Sequence, residues 1–452
     1  AMCVLLLCMF FSVSFGQEFD EDANFVRGNI GQRIADWAEA AASVGFHGVI
    51  LAARDGEVVA VVAVGSADFA GKVRNTPTTL FEIASITKPF TAIAIMQLVE
   101  QGALALDDPI AKHLPGVPDD CRAITVRQLL QHTSGIPGTN SRGGGPDLDA
   151  VLPRFLQGGP VFEPGTHWEY WNQGYALLSE IVARASGQEY VTFCRDRIFV
   201  PAGMASTRFT GDEAPEGVPV AIGRSSYGKP RSALDHPYGS YGFQYRGMGG
   251  VVTNVWDLWR WDRALHGEEL LGAAAKAELF EPGLGDYALG WFVRETKGGR
   301  LVQSHGGGVR GFVSEVRRYP LDDGCLFVLC NNDAVPVGRI AQALEEILFE
   351  EAPTIEKPPA PLDEALREAL VGQYEDDRGN LFIIEAEGNL TRVRILWSSS
   401  KGLVTRAVLG LDEAGGVAMY EWRSTHAVEL DRHGEEPVGV LSILNTTYTR
   451  QP

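Results

Sequence analysis

The segment from Leu80 to Gly102 reads LFEIASITKPFTAIAIMQLVEQG, and it combines a long helical pattern with a serine and a lysine three positions apart. Pro89 is tolerated only in the first turn of a helix, so the helix is expected to begin close to Ser85. Residues i and i+3 share one helix face, which places Lys88 beside the Ser85 hydroxyl. A serine hydroxyl is a poor nucleophile until a neighbouring base takes its proton, and a lysine whose pKa is lowered by burial can do so. The segment therefore predicts Ser85 as a catalytic nucleophile assisted by Lys88.

The spacing of serine and lysine is weak evidence by itself. It recurs at Ser226 and Lys229, and again at Ser398 and Lys401, in polar sequence typical of loops. An isolated instance is usually an N-cap serine followed by a solvated lysine. The prediction for Ser85 therefore depends on the motifs that accompany it along the chain.

Two further motifs follow, Tyr170-Trp171-Asn172 and, in a strand-like run, His305-Gly306-Gly307. Together with Ser85-Ile86-Thr87-Lys88, and in this order, they resemble the serine β-lactamase and penicillin-binding protein superfamily. The most similar branch holds class C-like β-lactamases, D-alanyl-D-alanine carboxypeptidases, D-aminopeptidases and family VIII esterases. The runs LLQHTSGIP, YWNQGYALLSEIV and GMGGVVTNVWDL also resemble this branch, and the resemblance covers roughly Gly45 to Phe349.

The resemblance implies a role for each polar residue of the first two motifs. Ser85 would attack the substrate carbonyl and form an acyl-enzyme, while Lys88 would hold or take its proton. Tyr170 would be the second candidate base, as a phenolate or through a proton shared with Lys88. A phenol needs adjacent positive charge to act in this way at neutral pH. Asn172 would hydrogen-bond the substrate amide and help to position Lys88, and the choice between Lys88 and Tyr170 as the main base stays open.

The third motif implies the substrate-binding side of the site. The resemblance places the oxyanion hole at the backbone N–H groups of Ser85 and Gly308, and the glycine-rich strand at Gly307 and Gly308 lets substrate approach the backbone closely. His305 would contact the substrate from the position that many β-lactamases fill with lysine. Histidine is mostly neutral at pH 7, whereas a permanent cation suits a substrate carboxylate. This departure favours a peptidase or an esterase over a β-lactamase.

The order of strand and helix patterns predicts an α/β fold class. Strand patterns at 47–53 and 57–65 are joined by the turn Arg54-Asp55-Gly56, and strand patterns return from Tyr287 onwards, with helical patterns between them. One mixed sheet that uses both ends of this segment is therefore expected. The resemblance implies a β-lactamase/transpeptidase-like domain, in which an antiparallel sheet is flanked by helices and an all-helical subdomain is added.

Four segments are predicted along the chain. Residues 1–16 read as a signal peptide, because an apolar run of about a dozen residues precedes the small residues Ser14 and Gly16. Residues 17–350 are the hydrolase domain, 351–362 a linker with four prolines, and 363–452 a small all-β domain that resembles a lipocalin-like extension. The expected location is secreted or periplasmic, with an uncleaved N-terminal anchor as the alternative.

Charge and cysteines limit the partners. The net charge of −19 argues against nucleic acid and against anionic membrane surfaces as partners. Cys325 and Cys330 would face opposite sides of one strand, so neither a disulfide framework nor a metal-binding spacing is expected, and Cys121 and Cys194 are expected to be buried thiols. No cofactor and no metal is expected, the partner is a small-molecule or short-peptide substrate, and the oligomeric state is left open.

The sequence therefore predicts an exported serine hydrolase that acts through a Ser85 acyl-enzyme on amide or ester bonds of small substrates. Short or D-residue peptides, simple esters and β-lactams are the candidate substrates. The alternative function is a penicillin-binding or cell-wall-sensing module that acylates with little turnover. The irregular segment from Gly211 to Arg246 is expected to line the cleft and to decide among these substrates.

Overall fold

The computed structural model describes residues 19–68, 71–139, 147–225, 229–237, 245–350, 359–387, 390–396, 398, 404–412, 414–420, 425–431, 437–443 and 446–451. The predicted signal peptide at 1–16, most of the predicted linker at 351–362, and Ser226 and Lys401 of the two secondary serine–lysine matches lie outside these residues.

Ten α-helices are present in the described parts of the chain: α1 (Gly28–Ser43), α2 (Thr87–Glu100), α3 (Val126–Leu130), α4 (Leu148–Phe155), α5 (Asn172–Ser186), α6 (Tyr190–Cys194), α7 (Val255–His266), α8 (Ala273–Leu279), α9 (Val337–Leu348) and α10 (Glu364–Leu370). None of these helices has the length and apolar character that crossing a bilayer would require.

The strands in the same parts of the chain are β1 (Phe25–Val26), β2 (Gly48–Arg54), β3 (Glu57–Val64), β4 (Phe81–Glu82), β5 (Arg208–Phe209), β6 (Ile222–Gly223), β7 (Arg231–Ser232), β8 (Val251–Thr253), β9 (Phe292–Glu295), β10 (Leu301–Val309), β11 (Phe312–Tyr319), β12 (Gly324–Cys330), β13 (Ala360–Pro361), β14 (Gly372–Glu375), β15 (Leu381–Glu387), β16 (Leu390–Leu396), β17 (Val404–Leu411), β18 (Val417–Tyr420), β19 (Thr425–Asp431), β20 (Val440–Ile443) and β21 (Thr446–Arg450).

Both ends of the first domain contribute to a single seven-stranded sheet, as the strand patterns predict. Its order is β1-β3-β2-β12-β11-β10-β9, and β2 pairs antiparallel with β12 across the junction of the two halves. The β2–β3 hairpin turns at Asp55 and Gly56, which have φ angles of 55° and 75°. Positive φ at both central residues of a two-residue turn matches the right-handed twist of the strands, and Asp-Gly is the sequence that adopts it readily.

Two apolar layers cover this sheet. Helices α1 and α9 pack together on one face, and α2 and α7 belong to the core on the other face. Cys325 packs in the core beside α2 and α7, whereas Cys330 packs beneath α1 and α9. The prediction that these two thiols face opposite sides of one strand is therefore confirmed, and the four described cysteines are free and buried.

One local prediction was wrong. The strand pattern at 287–293 forms a strand only from Phe292, because Gly290 has a φ of 81° and Ala288 N–H donates to the carbonyl of Trp291 in a tight turn. The apolar residues of this run are buried as expected, but they are buried within a tight turn and not within a strand. Helix α2 begins at Thr87, close to Ser85 as the position of Pro89 predicts, and Ala84–Ile86 form a separate 3₁₀ turn before it.

The C-terminal module is an eight-stranded closed β-barrel, β14 to β21. Neighbours in sequence pair antiparallel, and β14 pairs with β21 to close the barrel. The prediction that this domain is all-β was incomplete, because the domain also contains helix α10. Ala369 and Leu370 of α10 pack into the barrel core, and the side chain of Asp363 caps the helix. Val408 and Tyr420 of the barrel pack with the apolar residues of α1 and α9. The barrel therefore lies against the helical face that is opposite to α2.

Candidate active site

Ser85 lies in the short turn between β4 and α2. Its neighbours Ala84 and Ile86 are buried, whereas Ser85 itself is partly exposed. Ala84 has a φ of 47°, in the left-handed region that costs a non-glycine residue about 1–2 kcal/mol. The turn thus presents one side chain, the Ser85 hydroxyl, to the cleft at the head of a buried helix.

Lys88 is fully buried, and its Nζ lies close to three oxygen atoms. The distances are 3.1 Å to Ser85 Oγ, 2.8 Å to Asn172 Oδ1 and 3.2 Å to the carbonyl oxygen of Met248. Burial lowers the pKa of Lys88 well below its usual value of 10.5. A neutral amine has two N–H groups and one lone pair. Because Asn172 Oδ1 and the Met248 carbonyl can only accept, they take the two N–H groups and the lone pair is left for the Ser85 hydroxyl.

Helix α2 also fixes the segment that supplies the Met248 carbonyl. Thr91 Oγ1 donates to the carbonyl of Gly247 over 2.7 Å, and Thr87 Oγ1 accepts from the N–H of Val251 over 3.1 Å. Gly247 has a φ of 79°, and a Cβ atom there would lie 2.2 Å from the carbonyl oxygen of Tyr175. The glycine-rich run at 247–250 was noted in the sequence only because it resembles the family. In the structure it positions the Met248 carbonyl oxygen that accepts a hydrogen bond from Lys88.

Tyr170 packs beside the same amine. The Lys88 Nζ lies 4.7 Å from the centre of the Tyr170 ring. Burial raises the pKa of Tyr170 above its usual value of 10, and a hydrogen bond with Ser85 opposes this rise without cancelling it. Tyr170 is therefore a neutral phenol at neutral pH that contacts both Ser85 and Lys88.

His132 holds the second motif in place, although sequence reasoning assigned it no role. The N–H of Trp171 donates to His132 Nδ1 over 3.1 Å, and the ring centres of His132 and Tyr170 are 4.2 Å apart. His132 is buried and has a φ of 56°, and burial lowers the pKa of its imidazole well below 6.5. His132 belongs to the run LLQHTSGIP, which resembles the family, but the sequence alone does not indicate that this histidine contacts Tyr170.

The strand of the third motif, β10, packs against the turn that carries Ser85. A Cβ atom on Gly307 would lie 2.1 Å from the carbonyl oxygen of Ile83, so the close approach requires glycine. A two-residue turn joins Val309 to Phe312, which places the pair Gly308 and Val313 at a non-hydrogen-bonded position of the antiparallel ladder. The Gly308 N–H therefore points away from β11, towards the open side of the strand beyond the end of β9.

His305 lies in the wall of the site with both ring nitrogens engaged. Its Nδ1 lies 2.7 Å from the carbonyl oxygen of Gly306 and must carry the proton, because a carbonyl only accepts. Its Nε2 then accepts from the Tyr287 hydroxyl over 3.1 Å. The side chain is 2% exposed, and burial lowers its pKa to about 3. The structure thus brings His305 to the site as a neutral, internally bonded ring rather than as a side chain with a free nitrogen for substrate.

Part of the segment from Gly211 to Arg246 is described. Strands β6 and β7 form a hairpin, and Gly223 lies so close to the β10–β11 turn that an added Cβ would be 2.9 Å from the Cα of Gly311. Residues 226–228 and 238–244 of this segment lie outside the described residues. The hairpin therefore borders the end of β10, immediately beyond Gly308.

The sequence model of a family described as Beta-lactamase matches residues 34–348. Penicillin-binding protein 4* of Bacillus subtilis (strain 168) is 31% identical over 428 residues, which cover 83% of this chain and 93% of that protein.

Two solved structures show the same fold. An octameric penicillin-binding protein homologue from Pyrococcus abyssi superposes with a TM-score of 0.63 at 23% identity, and the match covers 93% of this chain and 99% of that one. A D-stereospecific amidohydrolase from Streptomyces sp. superposes with a TM-score of 0.58 at 25% identity, and the match covers 71% of this chain and 99% of that one.

Proposed function

Since the chain belongs to the β-lactamase family of serine hydrolases, we propose that it hydrolyses amide or ester bonds of small substrates through an acyl-enzyme on Ser85. The observation that carries the proposal is the fully buried Lys88, whose Nζ lies 3.1 Å from Ser85 Oγ with its two N–H groups directed to Asn172 and Met248. An amine held in this way has its lone pair ready for the serine proton.

In the proposed acylation, the Ser85 proton passes to Lys88 Nζ while Oγ forms a bond to the substrate carbonyl carbon. The carbonyl oxygen becomes an oxyanion and receives hydrogen bonds from the N–H groups of Ser85 and Gly308. The new ammonium of Lys88 is stabilised by the Asn172 and Met248 oxygens. Its proton then moves, by way of the neutral Tyr170 hydroxyl, to the leaving nitrogen or oxygen as the bond to that atom breaks. Water hydrolyses the ester in the same manner, and Ser85 regains its proton.

Lys88 rather than Tyr170 is the main base in this proposal. The burial that lowers the pKa of Lys88 favours its neutral, basic form, whereas the raised pKa of Tyr170 disfavours a phenolate. A neutral phenol both donates and accepts, so Tyr170 suits the transfer of a proton between Lys88 and the leaving group.

The third motif supports substrates that lack a carboxylate beside the scissile bond. His305 is neutral with both ring nitrogens bonded inside the protein, and Gly306 offers no side chain. We therefore propose amino-acid amides and simple esters as substrates ahead of β-lactams and of peptides cleaved at a free C-terminus. The likeness to the D-stereospecific amidohydrolase makes a D-amino-acid amide the first amide to test.

A penicillin-binding module that acylates with little turnover is the second candidate function. The observation in its favour is the 31% identity with penicillin-binding protein 4*, in a match that covers 93% of that protein. This candidate uses the same nucleophile and differs only in the rate at which water reaches the acyl-enzyme.

One experiment distinguishes these candidates. The full chain, Ser85→Ala and the matched control Ser398→Ala are each incubated with a p-nitrophenyl ester, D-alanine amide and benzylpenicillin, and product release and intact mass are followed. Ser398 begins another serine–lysine match but sits in the barrel, bonded to Asn380, so its variant is expected to behave as the wild type. Turnover of the ester and the amide that is lost only in Ser85→Ala supports the hydrolase.

A stable adduct without turnover would instead support the penicillin-binding candidate. Folded wild-type protein that gives neither adduct nor product with any of the three compounds would overturn the acyl-enzyme proposal.

The proposal includes export, which the apolar run within residues 1–16 supports. Expression of the full chain in a bacterial host with cell fractionation tests it, and protein confined to the cytoplasmic fraction with 1–16 intact would contradict it.

A further inference from the structure

Arg231 is a buried cation in strand β7, and its first contact lies beside the nucleophile turn. Its guanidinium Nη2 donates to Glu82 Oε2, and the two side chains are 5% and 0% exposed. Glu82 is the last residue of β4, three positions before Ser85. Only two buried residues, Ile83 and Ala84, separate Glu82 from Ser85. A shift of the Glu82 side chain would therefore move the backbone that carries the Ser85 N–H group.

The second contact of Arg231 lies at the end of β10. Its Nε donates to the carbonyl oxygen of Arg310 over 3.0 Å, two positions after Gly308. The guanidinium also lies 5.0 Å from the centre of the Phe312 ring, on the far side of the same turn. One planar group thus contacts a residue within the β10–β11 turn and the residue that follows the turn.

The remaining bonds of this group hold it in one orientation. Nη1 donates to the carbonyl oxygens of Ser232 and Asp235 at 3.2 and 2.9 Å, and the Tyr245 hydroxyl donates to the other oxygen of Glu82. Burial raises the pKa of Glu82, and the positive charge of Arg231 counteracts this effect. Without Arg231, the carboxylate would be left buried and uncompensated, which favours its protonation or its displacement.

We infer that Arg231 is a positioning residue for the oxyanion hole, because it ties the backbone that carries the Ser85 N–H to the backbone that carries the Gly308 N–H. This inference rests on the proposed acyl-enzyme function. The two N–H groups come from elements that are far apart in sequence, and both must reach one oxygen at about 2.7–3.1 Å. Displacement of a reacting group by about 1 Å can cost about 100-fold in rate.

A purely structural role for Arg231 would predict a different result from a positioning role. A structural ion pair affects the amount of folded protein, whereas a positioning group affects the transition state within the folded protein. The tetrahedral adduct of phenylboronic acid with a serine resembles the transition state, so its affinity reports on the oxyanion hole without requiring turnover.

The test compares Arg231→Met, Arg231→Lys and Glu82→Gln with a matched control, Arg318→Met. Arg318 is also buried, and its Nε donates to the buried carboxylate of Asp262 over 2.6 Å, near the opposite end of β11 from Phe312. Ester turnover, phenylboronic acid affinity and thermal unfolding are measured for each full chain. Glu82→Gln keeps the shape of the contact, so it provides a folded variant if Arg231→Met does not fold.

We expect kcat of Arg231→Met to fall about 100-fold with KM changed less than threefold, and phenylboronic acid affinity to fall by a similar factor. Arg231→Lys and Glu82→Gln are expected to fall between Arg231→Met and the wild type. Arg318→Met is expected to unfold at a lower temperature while it keeps the wild-type kcat and boronate affinity.

Wild-type kcat and boronate affinity in folded Arg231→Lys and Glu82→Gln would overturn the inference and leave the proposed function intact. Wild-type protein that neither turns over the ester nor binds phenylboronic acid through Ser85 would overturn both.

Discussion

The Nζ of Lys88 donates to the Oδ1 of Asn172 over 2.8 Å, although the two residues are 84 positions apart in the sequence. Because Asn172 is uncharged, it orients the amine without stabilising an ammonium as strongly as a carboxylate would. The basic form of Lys88 thus depends on a neutral partner, which is the first residue of α5.

Replacement of Asn172 by aspartate should therefore suppress acylation while it preserves the shape of the site. A carboxylate beside Lys88 favours the ammonium and raises its pKa. The rate of acylation should fall about 100-fold or more at pH 7, and the pH below which activity is lost should move upwards. Stopped-flow acylation by a p-nitrophenyl ester between pH 5 and pH 10 measures both effects. An unchanged pH profile in folded Asn172→Asp would show that Lys88 is not the base.

Tyr170→Phe should separate amide from ester substrates. An amine leaving group needs a proton, whereas p-nitrophenolate leaves without one, so the loss of the Tyr170 hydroxyl should lower amide hydrolysis about 100-fold and p-nitrophenyl ester hydrolysis much less. Tyr175→Phe is the matched control, because Tyr175 is fully buried and its hydroxyl donates to the Leu130 carbonyl over 2.6 Å. Equal losses on both substrates in Tyr170→Phe would contradict the role in proton transfer.

Gly307→Ala and Gly308→Ala should differ sharply in stability. A Cβ on Gly307 would lie 2.1 Å from the carbonyl oxygen of Ile83, whereas nothing lies within 4 Å of a Cβ on Gly308. Gly307→Ala is therefore expected to lower the free energy of unfolding by about 1–3 kcal/mol, while Gly308→Ala should stay within about 0.5 kcal/mol of wild type. Denaturant unfolding gives both values, and equal stabilities would show that β10 does not press against the nucleophile turn.

The buried histidines should lower the free energy of unfolding as the pH falls below about 6.5. His305 has a pKa of about 3 in the folded chain and 6.5 as its ordinary value, so between these limits the unfolded chain binds a proton that the folded chain excludes. His47, with a pKa lowered mainly by burial to about 4, adds to the same slope. Each such group contributes up to about 1.4 kcal/mol per pH unit.

His305→Gln should remove its share of this slope. Urea unfolding of both proteins at pH 7.5 and pH 4.5 measures the slopes, and the variant should lose less stability on acidification than the wild type. Identical slopes would mean that the folded chain does not exclude a proton from His305.

Local sequence was sufficient to predict much of the first domain. The Asp-Gly turn predicted the β2–β3 hairpin, and the apolar strand runs at both ends predicted one shared sheet, because these features depend on neighbours in the chain. The 287–293 run was read wrongly since a buried tight turn and a buried strand can have the same apolar pattern. Helix α10 was not predicted, because it has only seven residues and its short helical pattern is followed by a long series of strand patterns.

The sequence by itself determined the family, and it predicted Ser85 and Lys88 as a catalytic pair from the i, i+3 spacing that brings them to one helix end, because these depend on motif order and on the geometry of one helix. Only the tertiary structure decided that burial lowers the pKa of Lys88, that both ring nitrogens of His305 are bonded within the protein, and that Arg231 joins Glu82 to the β10–β11 turn. Each of these properties results from burial and from contacts between residues far apart in the chain, and neither burial nor such contacts can be read from residue order alone.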